Sequence, residues 1–136
     1  MTDLNALAVG TALTASRKIE DDDIDVCARL TGDFGAHHIA GLGGRKMAQG
    51  LLTLSAAPVL GADGVHVAAL DLRFLAPVYA GEEVTATTEI TSRDDAPDGQ
   101  VSLGVTVVIT SAAGEVLRGT GTAVVPPPPP PAPAGR

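Results

Sequence analysis

Residues 45–60 read RKMAQGLLTLSAAPVL, and this stretch is apolar almost all the way round a helical projection. A helix that has no polar face is buried, so the sequence predicts a long helix inside the protein. Gly50 lowers the helix propensity by about 1 kcal/mol, which indicates a place where another part of the molecule approaches the backbone closely. Pro58 is expected to end or kink the helix near its last turn.

The chain after this helix has the alternation of apolar and polar residues that is typical of β-strands. Four strands are predicted, at residues 65–76, 82–92, 101–111 and 115–125. Strands at this spacing favour an antiparallel meander. Ahead of the helix, loose alternation predicts a strand at residues 7–19. Residues 20–30, with an acidic start and helical spacing of apolar residues, are expected to form a helix that Gly32 ends.

This order of elements predicts an α+β domain in which an antiparallel sheet wraps around one long central helix. The domain is expected to span residues 1–125. Six consecutive prolines begin at Pro126, and proline has no backbone N–H to offer to a sheet or helix. Residues 126–136 are therefore expected to form an exposed, disordered tail with polyproline II character.

Composition and charge exclude several classes of function. The formal net charge is −7 and no cluster of Lys or Arg stands out, which argues against nucleic-acid binding. Cys27 is the only cysteine, so an internal disulfide cannot form. We expect no signal peptide, and we expect no membrane span because the apolar runs fall short of the ~20 residues that a span requires. A cytoplasmic protein without a membrane partner is the expectation.

The residues best suited to chemistry lie in a glycine-rich loop, where residues 32–38 read GDFGAHH. Acid–base catalysis needs a group that titrates near neutral pH and a partner that orients it, and Asp33 and His38 supply a carboxylate and an imidazole. The glycines of the loop allow the two side chains to converge. Exposed residues without a catalytic role are the alternative interpretation. A metal site is disfavoured, because the side chains of the adjacent His37 and His38 are expected to diverge in an extended segment and no cysteine or third histidine lies nearby.

This loop and the residues after it resemble motifs of the MaoC-like, (R)-specific enoyl-CoA hydratase family. The family's Gly-Asp-x-Asn-Pro-x-His motif corresponds to residues 32–38, with His38 at the position of its histidine. Its Ala/Val-His-Gly-Met-Leu segment corresponds to residues 48–52, AQGLL, and its F-x-x-P-V-x-x-G-D-x-V element to residues 74–84, FLAPVYAGEEV. The similarity extends over residues 7–125.

The resemblance implies a hot-dog fold, a homodimer or higher oligomer, and an acyl thioester bound in a tunnel near the subunit interface. It implies that Asp33 and His38 catalyse syn addition of water across an enoyl thioester, or the reverse dehydration. The backbone N–H of Gly50 would hold the thioester oxygen, and Gln49 and His37 would also contact the substrate. The thioester handle would be CoA or the phosphopantetheine of an acyl carrier protein, so no separate cofactor and no metal are expected.

Three departures from the family pattern bear on the substrate. Gly35 and Ala36 replace the family's Asn-Pro, which predicts a less rigid loop. Gln49 replaces its second histidine, and an amide cannot exchange protons at neutral pH. The segment between His38 and Gln49 is shorter than usual and lacks a lid-like helix, which predicts a more open or reshaped acyl pocket.

Two alternatives to a hydratase stay open. The first is a hot-dog acyl-CoA thioesterase, in which Asp33 would activate the hydrolytic water. Many such enzymes carry a catalytic carboxylate on the central helix, and residues 47–60 contain none. The second is a non-catalytic hot-dog subunit that binds an acyl thioester and pairs with an active partner.

Overall fold

Five antiparallel strands form one sheet in the order β1-β3-β4-β5-β2. The computed structural model describes residues 7–39, 44–58, 64–127 and Pro133. The strands are β1 Ala12–Lys18, β2 His66–Phe74, β3 Glu83–Asp95, β4 Val101–Ser111 and β5 Gly114–Val125. The helices are α1 Asp21–Thr31, α2 Ala36–Ile39 and α3 Gly50–Leu54.

Alternation along the strands decides which face of the sheet is buried, because successive side chains of a strand point to opposite faces. The residues of β4 that point to the buried face are Val101, Leu103, Val105, Val107 and Ile109. Helix α3 packs on this face through Leu52, which shares a core cluster with Val84 and Ile109. The predicted fold class, an α+β domain with an antiparallel sheet against a helix, is confirmed.

Helix α1 begins and ends where the sequence predicted. The backbone N–H of Glu20 donates to Asp23 Oδ2 at 2.9 Å, as one half of a capping box. Gly32 follows the helix with φ of 74°, a left-handed conformation that favours glycine, and its N–H donates to the carbonyl oxygen of Ala28 at 2.9 Å. The backbone that connects α1 to Asp33 therefore forms a hydrogen-bonded turn rather than an unconstrained loop.

The central helix is shorter than predicted. Helix α3 spans Gly50–Leu54, whereas the prediction covered residues 45–60. Met47 instead forms a β-bridge with Tyr79. An apolar run without periodicity is compatible with buried extended or turn segments as well as with a buried helix, so the pattern overestimated the helix at both ends. Residues 59–60 lie outside the described part of the chain.

The strand order also corrects the predicted four-strand meander. Strands β3, β4 and β5 follow one another as a meander, but β2 pairs with β5 and β1 pairs with β3. Strands β1 and β2 are therefore the two edges of the sheet. Spacing along the sequence reports the lengths of strands and turns, and it does not specify the side of the sheet to which a strand returns.

Helix α2 lies within the segment that was predicted to be a loop. The sequence could not reveal this helix, because four residues are too few to show a helical period.

The predicted tail lies almost entirely outside the described residues, so its boundary and disorder stay predictions. Strand β5 ends at Val125, the last residue of the predicted domain. Within residues 7–39, 44–58 and 64–127, no helix is long and apolar enough to cross a membrane.

We expect Ile109→Ala to lower the free energy of unfolding by about 2–5 kcal/mol, because it leaves a cavity in the core under α3. The neighbouring Val108 points to the opposite face and is only partly buried, so Val108→Ala is the matched control, with an expected loss of about 1 kcal/mol or less. Urea denaturation followed by circular dichroism measures both losses. Equal losses at the two positions would contradict this assignment of the faces.

Candidate active site

Asp33 is held by a short network at the end of α1. The hydroxyl of Thr31 donates to the carbonyl oxygen of Cys27 at 2.7 Å, and the backbone N–H of Asp33 donates to the same hydroxyl at 3.3 Å. Asp33 Oδ1 accepts from the backbone N–H of Gly35 at 3.3 Å. This side-chain-to-backbone bond makes a local turn of the kind that aspartate favours, and it leaves Oδ2 for other partners.

His38 lies on the single turn of helix α2 and is buried. The backbone N–H groups of His38 and Ile39 donate to the carbonyl oxygen of Gly35 at 2.9 and 3.2 Å, which forms the turn. The Nδ1 of His38 lies 2.6 Å from the carbonyl oxygen of Met47. A carbonyl oxygen only accepts hydrogen bonds, so Nδ1 carries the hydrogen and the Nε2 atom is left for chemistry.

The Nε2 of His38 lies 3.2 Å from Oδ2 of Asp33. When the ring carries a second proton, Nε2 donates it to the carboxylate. When the ring is neutral, Nε2 can accept a hydrogen bond from a water molecule or substrate. The structure thus brings the two predicted residues together in an arrangement through which a proton can pass, and their catalytic role stays a prediction.

His37 also faces the site, in contact with His38. The centroids of the two rings are 3.8 Å apart and their planes are tilted by 49°. A Cβ atom on Gly35 would lie 2.7 Å from Cε1 of His37, so this glycine makes room for the ring. The expectation that adjacent histidines diverge assumed an extended segment, whereas these two lie on a helical turn. The described residues contain no group of three or more side chains suited to holding a metal ion.

Residues 46 and 47, which precede α3, are held by contacts to the His37 loop on one side and to α1 on the other. The backbone N–H of Met47 donates to the carbonyl oxygen of His37 at 2.8 Å. On the other side, Lys46 Nζ donates to Asp25 at 3.0 Å and lies 3.7 Å from Asp21. The hydrogen bond to Asp25, together with the charge of Asp21, raises the pKa of the Lys46 amino group. These contacts hold the segment between α1 and the loop that carries Asp33 and His38.

Gln49 and Gly50 form the start of α3. Gln49 is the N-cap residue, and its side-chain Nε2 donates to the carbonyl oxygen of Ile24 at 3.0 Å. Among the described residues no side chain caps α3. The first N–H groups of a helix have no partner within it, so the N–H of Gly50 lacks an intrahelical partner. A Cβ atom on Gly50 would overlap the ring of Phe74, which agrees with the close approach that this glycine predicted.

All five residues that the sequence placed in the site line one cavity of about 700 Å³: Asp33, His37, His38, Gln49 and Gly50. The rest of its wall is mostly apolar and comes from the end of α1, the segment before α3, α3 itself, the end of β2, the turn after it and β5. Sequence reasoning missed these wall residues, among them Phe74, Leu75 and Val116, because nothing in the strand pattern of β2 or β5 shows which residues reach a cavity. A mostly apolar cavity with a few convergent polar groups is typical of a small-molecule site.

The chain is similar to solved structures over nearly all of its length, although no protein-family model and no curated protein matches the sequence. An (R)-hydratase from A. caviae involved in PHA biosynthesis has a TM-score of 0.74 and 24% identity, with 88% of this chain and 97% of that chain covered. A MaoC-like dehydratase from Rhodospirillum rubrum has a TM-score of 0.66 and 23% identity, with 93% and 98% covered. The ChsH1-ChsH2 complex from Mycobacterium tuberculosis gives a TM-score of 0.68 and 20% identity, with 88% and 98% covered.

Each of the three comparisons covers 88% or more of this chain. At these sequence identities the similarity concerns the fold. The five-stranded antiparallel sheet with α3 on its buried face is the architecture that the sequence motifs implied. The chain therefore has the MaoC-like hot-dog fold.

Proposed function

We propose that this protein is an (R)-specific enoyl-thioester hydratase, which in reverse is a 3-hydroxyacyl-thioester dehydratase. The observation that carries the proposal is the 3.2 Å contact between His38 Nε2 and Asp33 Oδ2 inside a cavity that Gly50 also lines. The named hydratases and dehydratases of the same fold support it, as do the sequence motifs. The proposal assigns the activity of those hydratases and dehydratases to this chain.

In the hydration direction, one water molecule donates hydrogen bonds to Asp33 Oδ2 and to Nε2 of the neutral His38 ring. Its oxygen attacks the β-carbon of the enoyl thioester while the carbon–carbon π bond opens towards the α-carbon. The water's proton passes to the pair, and the pair delivers a proton to the α-carbon. Both additions come from the side of the substrate that faces the pair, which makes the addition syn. Dehydration follows the same steps in reverse and releases water.

Negative charge develops on the thioester oxygen during these steps, and the N–H of Gly50 is the proposed donor that stabilises it. A donor that is already oriented towards developing charge lowers the barrier, because no solvent has to reorganise. Helix α3 has only five residues, so this contribution comes from local N–H groups rather than from a long helix. His37 and Gln49 are the further proposed contacts with the substrate.

The proposed substrate carries its acyl group on CoA or on the phosphopantetheine of an acyl carrier protein. The mechanism needs no metal and no further cofactor, because the thioester itself makes the α-carbon acidic. Leu51, Phe74 and Leu75 line the cavity and are also exposed in the single subunit. They mark the open end of the cavity, and because Phe74 ends β2, the thioester handle would enter beside the subunit interface proposed below.

Hydration, hydrolysis and mere binding are separated by one assay. Purified protein is incubated with crotonyl-CoA and, separately, with butyryl-CoA, and both the enoyl absorbance and free thiol are followed. Loss of absorbance without release of thiol is the expected result. Release of thiol would instead identify a thioesterase, and tight binding without either change would identify a non-catalytic subunit.

We expect Asp33→Asn and His38→Ala each to lower kcat/KM for crotonyl-CoA hydration by about 10²–10⁴-fold, because each removes one member of the proton-transfer pair. Asp94→Asn is the matched control, since Asp94 is exposed on β3 and does not line the cavity. Thermal melts show whether each variant is folded. Full activity in both site variants would rule out this assignment.

Strand β2 is the proposed subunit interface. None of its nine residues is buried, and it exposes the apolar side chains of Val67, Leu70 and Phe74. An exposed apolar edge strand is a template for pairing with another strand, whereas edges that remain free usually carry charges. The opposite edge, β1, has the sequence ALTASRK, in which Leu13 is the single large apolar side chain. Strand β2 also carries the charged residues Asp71 and Arg73, so the difference between the two edges lies in its three exposed apolar side chains. We therefore propose a homodimer formed through β2.

Light scattering coupled to size exclusion tests this interface, with an expected mass of twice 13.6 kDa. Val67→Asp should give a monomer, because it buries a charge in the proposed interface, and Ala12→Asp on β1 should leave the dimer intact. A wild-type monomer would contradict the homodimer. If that monomer were also inactive, it would favour pairing with a different subunit, the arrangement that the ChsH1-ChsH2 complex names.

A further inference from the structure

Strand β2 carries two exposed charges of opposite sign that have no partner within the described chain. Asp71 and Arg73 lie two residues apart on the strand, so their side chains point to the same face of the sheet. Neither side chain forms an ion pair or a hydrogen bond with any described residue. This edge strand therefore offers one anionic and one cationic group to a strand that pairs with it.

The position of Arg73 favours an anion on the free side of β2. Within the chain, the residue directly opposite Arg73 is Arg118 on β5. Two cations directly opposite each other on neighbouring strands destabilise the pairing. Glu115 forms an ion pair with Arg118, whereas no described carboxylate lies within 4.0 Å of the Arg73 guanidinium. An anion beyond the edge of the sheet would balance this remaining charge.

The apolar residues of β2 point to the other face of the sheet, which is the buried face. Phe74 is paired with Leu117 on β5, and Leu117 is a core residue. Leu70 and Leu72 lie on the same side as Phe74, because they are two and four residues away from it. In the single subunit, Leu70 is 37% exposed and Phe74 is 58% exposed. Strand β2 thus has a charged row on its outer side and an uncovered apolar row on its inner side.

Symmetry limits how β2 can pair with β2 of a second copy. Two identical antiparallel strands are related by a two-fold axis, which lies where a residue is opposite itself. The axis must pass through a residue rather than between two residues, because otherwise outer side chains of one copy would lie opposite inner side chains of the other. The β-bulge between Val67 and Ala69 limits the regular part of β2 to residues 69–74. The two axes nearest its middle are at Asp71 and at Leu72.

Charge distinguishes these two registers. An axis at Asp71 would place the two Asp71 carboxylates opposite each other, which is unfavourable. An axis at Leu72 places each Asp71 opposite the partner's Arg73, so that two ion pairs form. On the inner face it places Leu72 opposite the partner's Leu72 and Phe74 opposite the partner's Leu70. Opposite charges and apolar side chains are both favourable cross-strand neighbours.

We propose that two copies of this chain pair through β2 in the register centred on Leu72, with reciprocal ion pairs between Asp71 and Arg73. The register rests on the homodimer of the proposed function and adds a residue to its site. Phe74 lines the mouth of the cavity, and the partner's Leu70 covers it. The wall at the mouth of each cavity is therefore complete only in the dimer.

Reversal of the two charges tests the ion pairs. Asp71→Arg and Arg73→Asp each create two pairs of like charges, so each variant alone should dimerise at least about tenfold more weakly than the wild type. In an equimolar mixture, every cation of one variant lies opposite an anion of the other, so the mixture should dimerise about as tightly as the wild type. Sedimentation velocity over a dilution series measures all three.

Glu89→Arg is the matched control for the change in net charge. Glu89 is exposed on β3, away from the edge of the sheet, so this variant should dimerise like the wild type. Single reversals at positions 71 and 73 that dimerise like the wild type would overturn the register. A mixture that dimerises no better than either variant alone would overturn it as well.

Cross-linking tests the position of the axis. In a Cys27→Ser background, Leu72→Cys places the two new thiols opposite each other, within the range that a disulfide spans, so oxidation should give a covalent dimer. Leu70→Cys is the control on the same face. Its two copies would lie four residues apart along the strands, about 13 Å, which is too far for a disulfide. Cross-linking through position 70 but not through position 72 would contradict the register.

Failure of the register and failure of the homodimer give different results. A wild-type monomer would reject both. A wild-type dimer in which the mixed variants do not associate and Leu72→Cys does not cross-link would leave the homodimer standing and reject the register. Hydration of crotonyl-CoA enters neither measurement, so loss of the proposed activity would not be mistaken for loss of the interface.

Discussion

A hydrogen bond of 2.6 Å joins Nδ1 of His38 to the carbonyl oxygen of Met47. A second hydrogen bond joins the same two segments: the N–H of Met47 donates to the carbonyl oxygen of His37 at 2.8 Å. These bonds join the loop after α1 to the segment that leads into α3. They also fix the tautomer of His38, which leaves Nε2 as the atom that meets Asp33. These two bonds, called the clamp below, hold the Asp33–His38 pair next to the segment that leads into α3.

The loop that carries Asp33 and His38 is ordered although it lacks the Asn-Pro of the hydratase motif. Gly35 and Ala36 occupy those positions, and they predicted a less rigid loop. In the structure, the N–H of Gly35 donates to Asp33 and its carbonyl oxygen accepts from His38. Backbone groups thus provide the order that a side-chain amide and a proline ring would otherwise supply. The same glycine leaves room for the ring of His37.

Much of the fold could be predicted from the sequence, because alternation in β4 and capping of α1 are local signals. The Asp33–His38 spacing likewise identified two side chains that the structure places in contact. The length of α3 could not be predicted, since an apolar run without a polar face has no period to measure. The edge position of β2 depends on which strand it pairs with, and that is a long-range property.

The acceptor on Gln49 is a further feature that no sequence pattern could reveal. Its significance depends on a bond to Ile24, 25 residues away along the chain, and on the absence of a donor among the described residues. The sequence indicated only that an amide replaces an imidazole. The structure adds that one end of this amide donates to Ile24 and that the other receives no hydrogen bond from any described residue.

The central claim is that His38 is held through Nδ1 and acts through Nε2. Nitrogen-15 NMR of the histidine rings tests it directly, with His38→Ala used to assign the His38 signals. At a pH where the ring carries a single proton, the account predicts a protonated, hydrogen-bonded Nδ1 and an unprotonated Nε2. A neutral ring that carries its proton on Nε2 would contradict the clamp and the mechanism that depends on it.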